Sequence, residues 1–153
     1  MSLETPKNKQ VDNYQSLEKV VDKTQILIAE SEDELLRLFN TYFSSLGMST
    51  EIANDGEKAM EIFNRFDSNP DILCLDLILL DINLPRMRGS EVLEHMRASK
   101  KCGDSKVLVV TSSDSPSDIE EMNRLGANGY FKKASEFSEF MKLGEIVRSL
   151  LPQ

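Results

Sequence analysis

The chain has 153 residues, enough for one domain with a sheet covered on both faces and too few for a second full core. A net charge of −8 and a pI near 4.7 exclude general affinity for nucleic acid, which needs clustered Lys and Arg, and no apolar run has the length of a membrane span. Cys74 and Cys102 match no metal-ligand spacing, and two cysteines do not make a disulfide framework; a reducing compartment suits them, and a cytoplasmic protein is expected.

Residues 1–23 carry Pro6 and many charges, yet Val11, Tyr14, Leu17 and Val21 recur at roughly helical spacing. They are read as a tail, loosely helical or partly flexible, ahead of a domain spanning 24–153. "QILIA" (25–29) reads as a strand, and the acids after it lead into a helix with Leu35, Leu38, Phe39, Tyr42, Phe43 and Leu46 on its apolar side and Gly47 at its stop. "MSTEIA" is a weaker strand, "NDG" a turn, and "EKAMEIFNRF" a second helix facing inward through Ala59, Met60, Ile62, Phe63 and Phe66.

"LDLILLD" (75–81) is nearly continuous in apolarity, as a parallel strand buried on both faces is. "SEVLEHMRASK", "KVLVVT", "SDIEEMNRLG", "GYFK" and "EFSEFMKLGEIVRSLL" continue the alternation of helix and strand. Five successive βα units predict an α/β fold with a doubly wound five-stranded parallel sheet, because parallel neighbours need helical crossovers. Ligands of such sheets sit outside the carboxyl ends of the strands, and Glu30, Asp81, Thr111 and Lys133 all fall at or just past those ends.

Asp81 has three readings: helix cap, metal ligand or nucleophile. The cap is disfavoured because Pro85 and Gly89 stand before the next helix and Ser90 is nearer the capping position. The other two need partners, which the strand-end acids and Lys133 supply. Asp76 is a rival five residues upstream, but the strand period puts it on the opposite face and no proline and glycine follow it at the right spacing. His95, mid-helix among polar residues, reads as a surface histidine rather than a phosphohistidine.

From Ile26 to about Leu150 the chain resembles the receiver domain of two-component response regulators, through "ILIAESEDELLRLF", "LILLDINLPRMRGSEVL", "VLVVTSSD" and "GANGYFKKA" in that order. The resemblance implies a flavodoxin-like (βα)5 fold and a response regulator that signals by phosphorylation-dependent protein binding. Asp81 would take a phosphoryl group from a sensor histidine kinase, Thr111 would meet the phosphoryl oxygens, and Lys133 would pair with the carboxylate and transmit its modification rather than hold the fold. Mg²⁺ would be held by Asp81, the Asn83 backbone carbonyl and the acidic pair led by Glu30, and Tyr130 would be an aromatic switch coupled to Thr111. A downstream protein partner is implied, a homodimer is admitted, and direct contact with nucleic acid or membrane is not expected. Such a chain assists its own phosphorylation and dephosphorylation without being an enzyme with a separate substrate. Only "PQ" follows the last helix, so a stand-alone receiver is expected.

The sequence departs from that pattern in three places. Ser31 stands where a second carboxylate is expected, and a hydroxyl is a poorer ligand for a hard cation, so weak Mg²⁺ binding follows, with a pseudo-receiver acting without phosphorylation as the alternative. Glu32 and Asp33 either compensate or simply favour the helix dipole. Ala134 replaces a proline that usually follows a cis bond, and a cis bond to alanine costs roughly 3 kcal/mol, so a trans peptide is expected. About five residues are inserted before the third strand. A haloacid-dehalogenase-like phosphatase is disfavoured because Asn83 replaces the acid that would protonate a leaving group, and flavin binding because "ESEDE" would repel phosphate.

Overall fold

The computed structural model describes residues 24–133 and 137–151, the side chains of 137–141 excepted. The expected tail, residues 1–23, and Ala134 with the peptide that follows Lys133 lie outside the described residues. Five strands, β1 (Gln25–Ala29), β2 (Ser49–Ala53), β3 (Leu77–Leu80), β4 (Lys106–Thr111) and β5 (Gly129–Lys132), alternate with five helices: α1 (Asp33–Ser45), α2 (Gly56–Ser68), α3 (Gly89–Ala98), α4 (Pro116–Arg124) and α5 (Phe137–Leu150). The strands form one parallel sheet in the order β2-β1-β3-β4-β5.

The period of two along each strand builds two cores. Ile26, Ile28, Leu77, Leu79, Leu108 and Val110 face one side and pack with Leu36, Phe39 and Phe43 of α1 and Leu143 and Val147 of α5. Leu27, Ala29, Ile78, Leu80, Val107 and Val109 face the other, under Ala59, Ile62, Phe63 and Phe66 of α2, Val92, Leu93 and Met96 of α3 and Met122 of α4. One correction falls on α1: Leu36 is buried and Leu38 is 41% exposed. The two flank the apolar stripe on opposite sides, about 200° apart at 3.6 residues per turn, and α1 turns the Leu36 flank to the core.

The segment before β3 leaves α2 and runs past Ile72 to Asp76, where Asp76 N donates to Gln25 O (2.9 Å) and Lys106 N to Asp76 O (3.2 Å). Cys74 in this segment and Cys102 between α3 and β4 form a disulfide, with Cα atoms 5.2 Å apart. That corrects the reading of the two cysteines as suited to a reducing compartment without a disulfide framework. They are 28 residues apart in sequence, but both precede adjoining parallel strands and therefore meet at the same end of the sheet. Close by, Arg97 at the end of α3 donates to the carbonyls of Gly103 (2.9 Å), Ser105 (2.6 Å) and Gly126 (2.5 Å) and to Asn128 Oδ1 (3.1 Å), tying α3 to the starts of β4 and β5.

Candidate functional site

Parallel pairing places the carboxyl ends of β1, β3 and β4 side by side. Ala29 pairs with Leu80, and Asp81 N donates to Ala29 O at 3.0 Å, so Glu30 and Asp81 leave adjacent strands together. Thr111 closes β4 opposite Lys132, and Lys133 N donates to Thr111 O at 2.8 Å, which brings Lys133 to the same edge. Glu30, Asp81 and Thr111, at 2%, 5% and 0% exposure, are the buried polar or charged residues among those described. All three belong to this one cluster.

Lys133 Nζ lies 2.9 Å from Glu30 Oε1, 2.9 Å from Asp81 Oδ2 and 3.8 Å from Glu32 Oε2, with its side chain 11% exposed. The other oxygens take backbone donors: Asn83 N to Asp81 Oδ1 (3.1 Å), and Ser31 N (3.1 Å) and Glu32 N (3.0 Å) to Glu30 Oε2. Burial pushes the Glu30 carboxyl above its ordinary value against the pull of the Glu32 N–H and of Lys133, and nearby Asp81 adds to the rise. Burial works against the Lys133 ammonium, but its bonds to Glu30 and Asp81 outweigh that and hold its pKa above the ordinary lysine value. One ammonium shared by two nearly buried carboxylates leaves a net negative pocket lined with oxygen.

The loop after Asp81 explains its proline and glycine. Gly89 N donates back to Ile82 O at 2.9 Å, and a Cβ on Gly89 would stand 2.8 Å from Ile82 Cα, so the return of the chain requires glycine there. Gly56 N donates to Pro85 O at 3.1 Å, seating the loop on the start of α2, and Arg86 turns it with a φ of +69°. The N-cap of α3 is Arg88, without a side-chain cap bond, rather than Ser90. Asp76 sits at the far end of β3, with Oδ2 accepting from Gln25 N at 2.8 Å. His95 is exposed on the last turn of α3, as expected of a surface histidine.

Tyr130 is partly buried and donates its hydroxyl to Ser113 O at 2.7 Å, and burial raises its pKa. Ser113 N in turn faces Thr111 Oγ1 at 3.5 Å, while Ser113 Oγ donates to Asp118 Oδ2 at 2.6 Å. Ser113 therefore stands between Thr111 and Tyr130, a position that sequence reasoning missed. Its contacts to both are made by the peptide backbone, which no residue type announces; only the Ser- and Asp-rich run "TSSDSPSD" hints at a hydrogen-bonded loop. Glu32 Oε2 lies 3.8 Å from Lys133 Nζ with its side chain largely exposed, and Asp33 stands in the first turn of α1.

For a divalent cation, no group of three or more His, Cys, Asp or Glu is placed to bind among the described residues. The buried carboxylates at hand are those of Glu30 and Asp81, bridged by Lys133. Hard oxygen donors around two buried negative charges fit Mg²⁺ or a similar ion, with less charge than a third carboxylate would supply.

A family model described as the response regulator receiver domain matches residues 26–144. Among curated proteins, the regulator of RpoS of Escherichia coli strain K12 is 37% identical over 127 residues, covering 83% of this chain and 34% of that protein. The chain thus spans about a third of the length of that relative. Among solved structures, the Mg²⁺–BeF complex of response regulator TrrA from Thermotoga maritima is similar at 28% identity and a TM-score of 0.66, covering 84% of this chain and 99% of that one. The Mn²⁺-bound form of response regulator Rcp1 is similar at 25% identity and a TM-score of 0.72, over 85% and 99% of the two chains.

Proposed function

The chain belongs to the response regulator receiver domain family, and from that premise we propose that Asp81 accepts a phosphoryl group from the phosphohistidine of a sensor kinase and that the modified domain signals by binding a downstream protein. The observation that carries this reading is the cluster of Glu30, Asp81 and Thr111, buried among apolar strands and closed by Lys133. An Asp81 carboxylate oxygen forms the bond to phosphorus as the bond from phosphorus to the kinase imidazole breaks, the imidazole nitrogen keeping the electron pair. The Lys133 ammonium and the Thr111 hydroxyl then stabilise charge on the phosphoryl oxygens. Glu30, Asp81 and the Asn83 carbonyl would hold Mg²⁺, which when bound neutralises part of that charge.

Tyr130 and Thr111 carry the change outward through the Ser113 peptide that lies between them. Lys133 exchanges partners on phosphorylation, which makes it a two-state contact. Residues 24–153 form the receiver in this reading. Incubation with a small acyl phosphate and Mg²⁺ tests it: intact mass should rise by one phosphoryl group, and no gain at Asp81 overturns it. Ser31 supports a second reading, a pseudo-receiver that binds its partner unmodified; absence of any Mg²⁺ binding or mass gain together with retained partner capture would select it.

A further inference from the structure

A groove of about 720 Å³ opens at the end of the sheet away from Asp81, lined by Gln25, Glu51, Phe66, Asp71, Ile72 and Leu73 among others. Leu73 is 87% exposed, against 41% for Leu38 and 38% for Ile52, the other exposed large apolar side chains among the described residues. The segment that presents it is firmly held. Lys101 Nζ donates to Ile72 O at 2.5 Å and also to Asn69 O, Ser105 Oγ donates to Leu75 O at 2.6 Å, and Cys74 is bridged to Cys102. Ties that hold a leucine out in water make a pre-organised apolar surface.

We propose that residues 11–23 of this same chain cover that groove. Ser49 N donates to Thr24 O at 3.0 Å, and Gln25 itself lines the groove, so the preceding chain leaves from its wall. Val21 and Leu17 stand four and eight residues before Gln25, within reach of roughly 13 and 26 Å at about 3.3 Å per residue. Val11, Tyr14, Leu17 and Val21 recur at helical spacing, which supplies an apolar stripe of matching character. Lys19 and Lys23 in this segment carry charge opposite to that of Asp71 on the groove wall. A tethered segment also docks without the translational entropy that a second copy or a separate partner must give up.

The chain has no tryptophan, so Leu17→Trp in the full chain is a unique reporter, with Asn8→Trp as the solvent reference. Leu17→Trp should emit to the blue of Asn8→Trp at every protein concentration, and adding Leu73→Asp should return it to the solvent value. In the chain without any tryptophan, hydrogen exchange of residues 14–21 and 71–75 should accelerate roughly tenfold with Leu73→Asp; this measurement decides where a tryptophan at position 17 is itself not tolerated. Solvent-like emission with unchanged exchange overturns the proposal. So does a blue shift that survives Leu73→Asp, which places the segment elsewhere, or one that grows with concentration alongside a dimer in sedimentation, which gives the groove to a second copy.

Discussion

Asp76 and Asp81 flank β3, four apolar residues apart, and live under opposite conditions. Asp76 uses its carboxylate and both backbone groups to fasten the starts of β1, β3 and β4, with bonds to Gln25 and Lys106. Asp81 shares one ammonium with a second buried acid and takes one backbone donor. Strand polarity makes the difference. In a parallel sheet the starts converge on each other's peptide groups, whereas the ends open into loops that carry acids, a hydroxyl and a lysine from separate strands to one point. The same residue type is a fastening at one end and a reactive group at the other.

The sharpest way to break this contrast is to exchange the two side chains' fates. Asp81→Asn should abolish the mass gain from acyl phosphate, while Asp76→Asn should keep it; the reverse pattern would dissolve the distinction. Next in size is Lys133→Met, which strands two nearly buried carboxylates without their cation and should lower unfolding free energy by about 2–4 kcal/mol at neutral pH. This reverses the expectation from sequence that Lys133 leaves the fold untouched, because the sequence does not show that Glu30 and Asp81 are buried together. The folded pKa of Lys133 is raised above its ordinary 10.5, so its contribution is complete below that pH and is lost as pH rises through the folded value. Denaturant melts of the two proteins should therefore converge in strong alkali.

Ser31→Asp should tighten Mg²⁺ by roughly ten- to a hundredfold, about 1–3 kcal/mol, in titration at fixed ionic strength. Equal or weaker binding would mean the hydroxyl is no defect. Asp76→Ala should cost about 1–2 kcal/mol by orphaning the Gln25 N–H, with phosphorylation intact. The smallest effect concerns Glu30, whose folded pKa lies above its ordinary 4.5. Its contribution is present below that pH and declines as pH rises through the folded value, so Glu30→Gln should flatten the stability curve just above pH 4.5.

Much of this molecule was legible before any coordinates. β1 and β4 span the residues read for them, 25–29 and 106–111, because the buried apolar runs 26–29 and 107–110 at their centres mark a parallel strand covered on both faces. Strand polarity alone gathered Glu30, Asp81, Thr111 and Lys133. What escaped reading depends on contacts distant in sequence. The choice of Leu36 over Leu38 follows from how α1 lands on the sheet, the Cys74–Cys102 bridge from two loops converging, and the position of Ser113 from backbone groups that every residue possesses.

The Arg97 clamp gives α3 the mechanics of a beam fixed at one support. Its far end is fastened to three carbonyls and Asn128, while Gly89 at its near end bears on the peptide of Asp81 and Ile82. Arg97 stands eight residues beyond Gly89 in α3, roughly 12 Å along the axis at 1.5 Å per residue. A push from the Asp81 loop would therefore swing the helix about Arg97 instead of sliding it, with displacement largest beside the loop and fading toward the pivot.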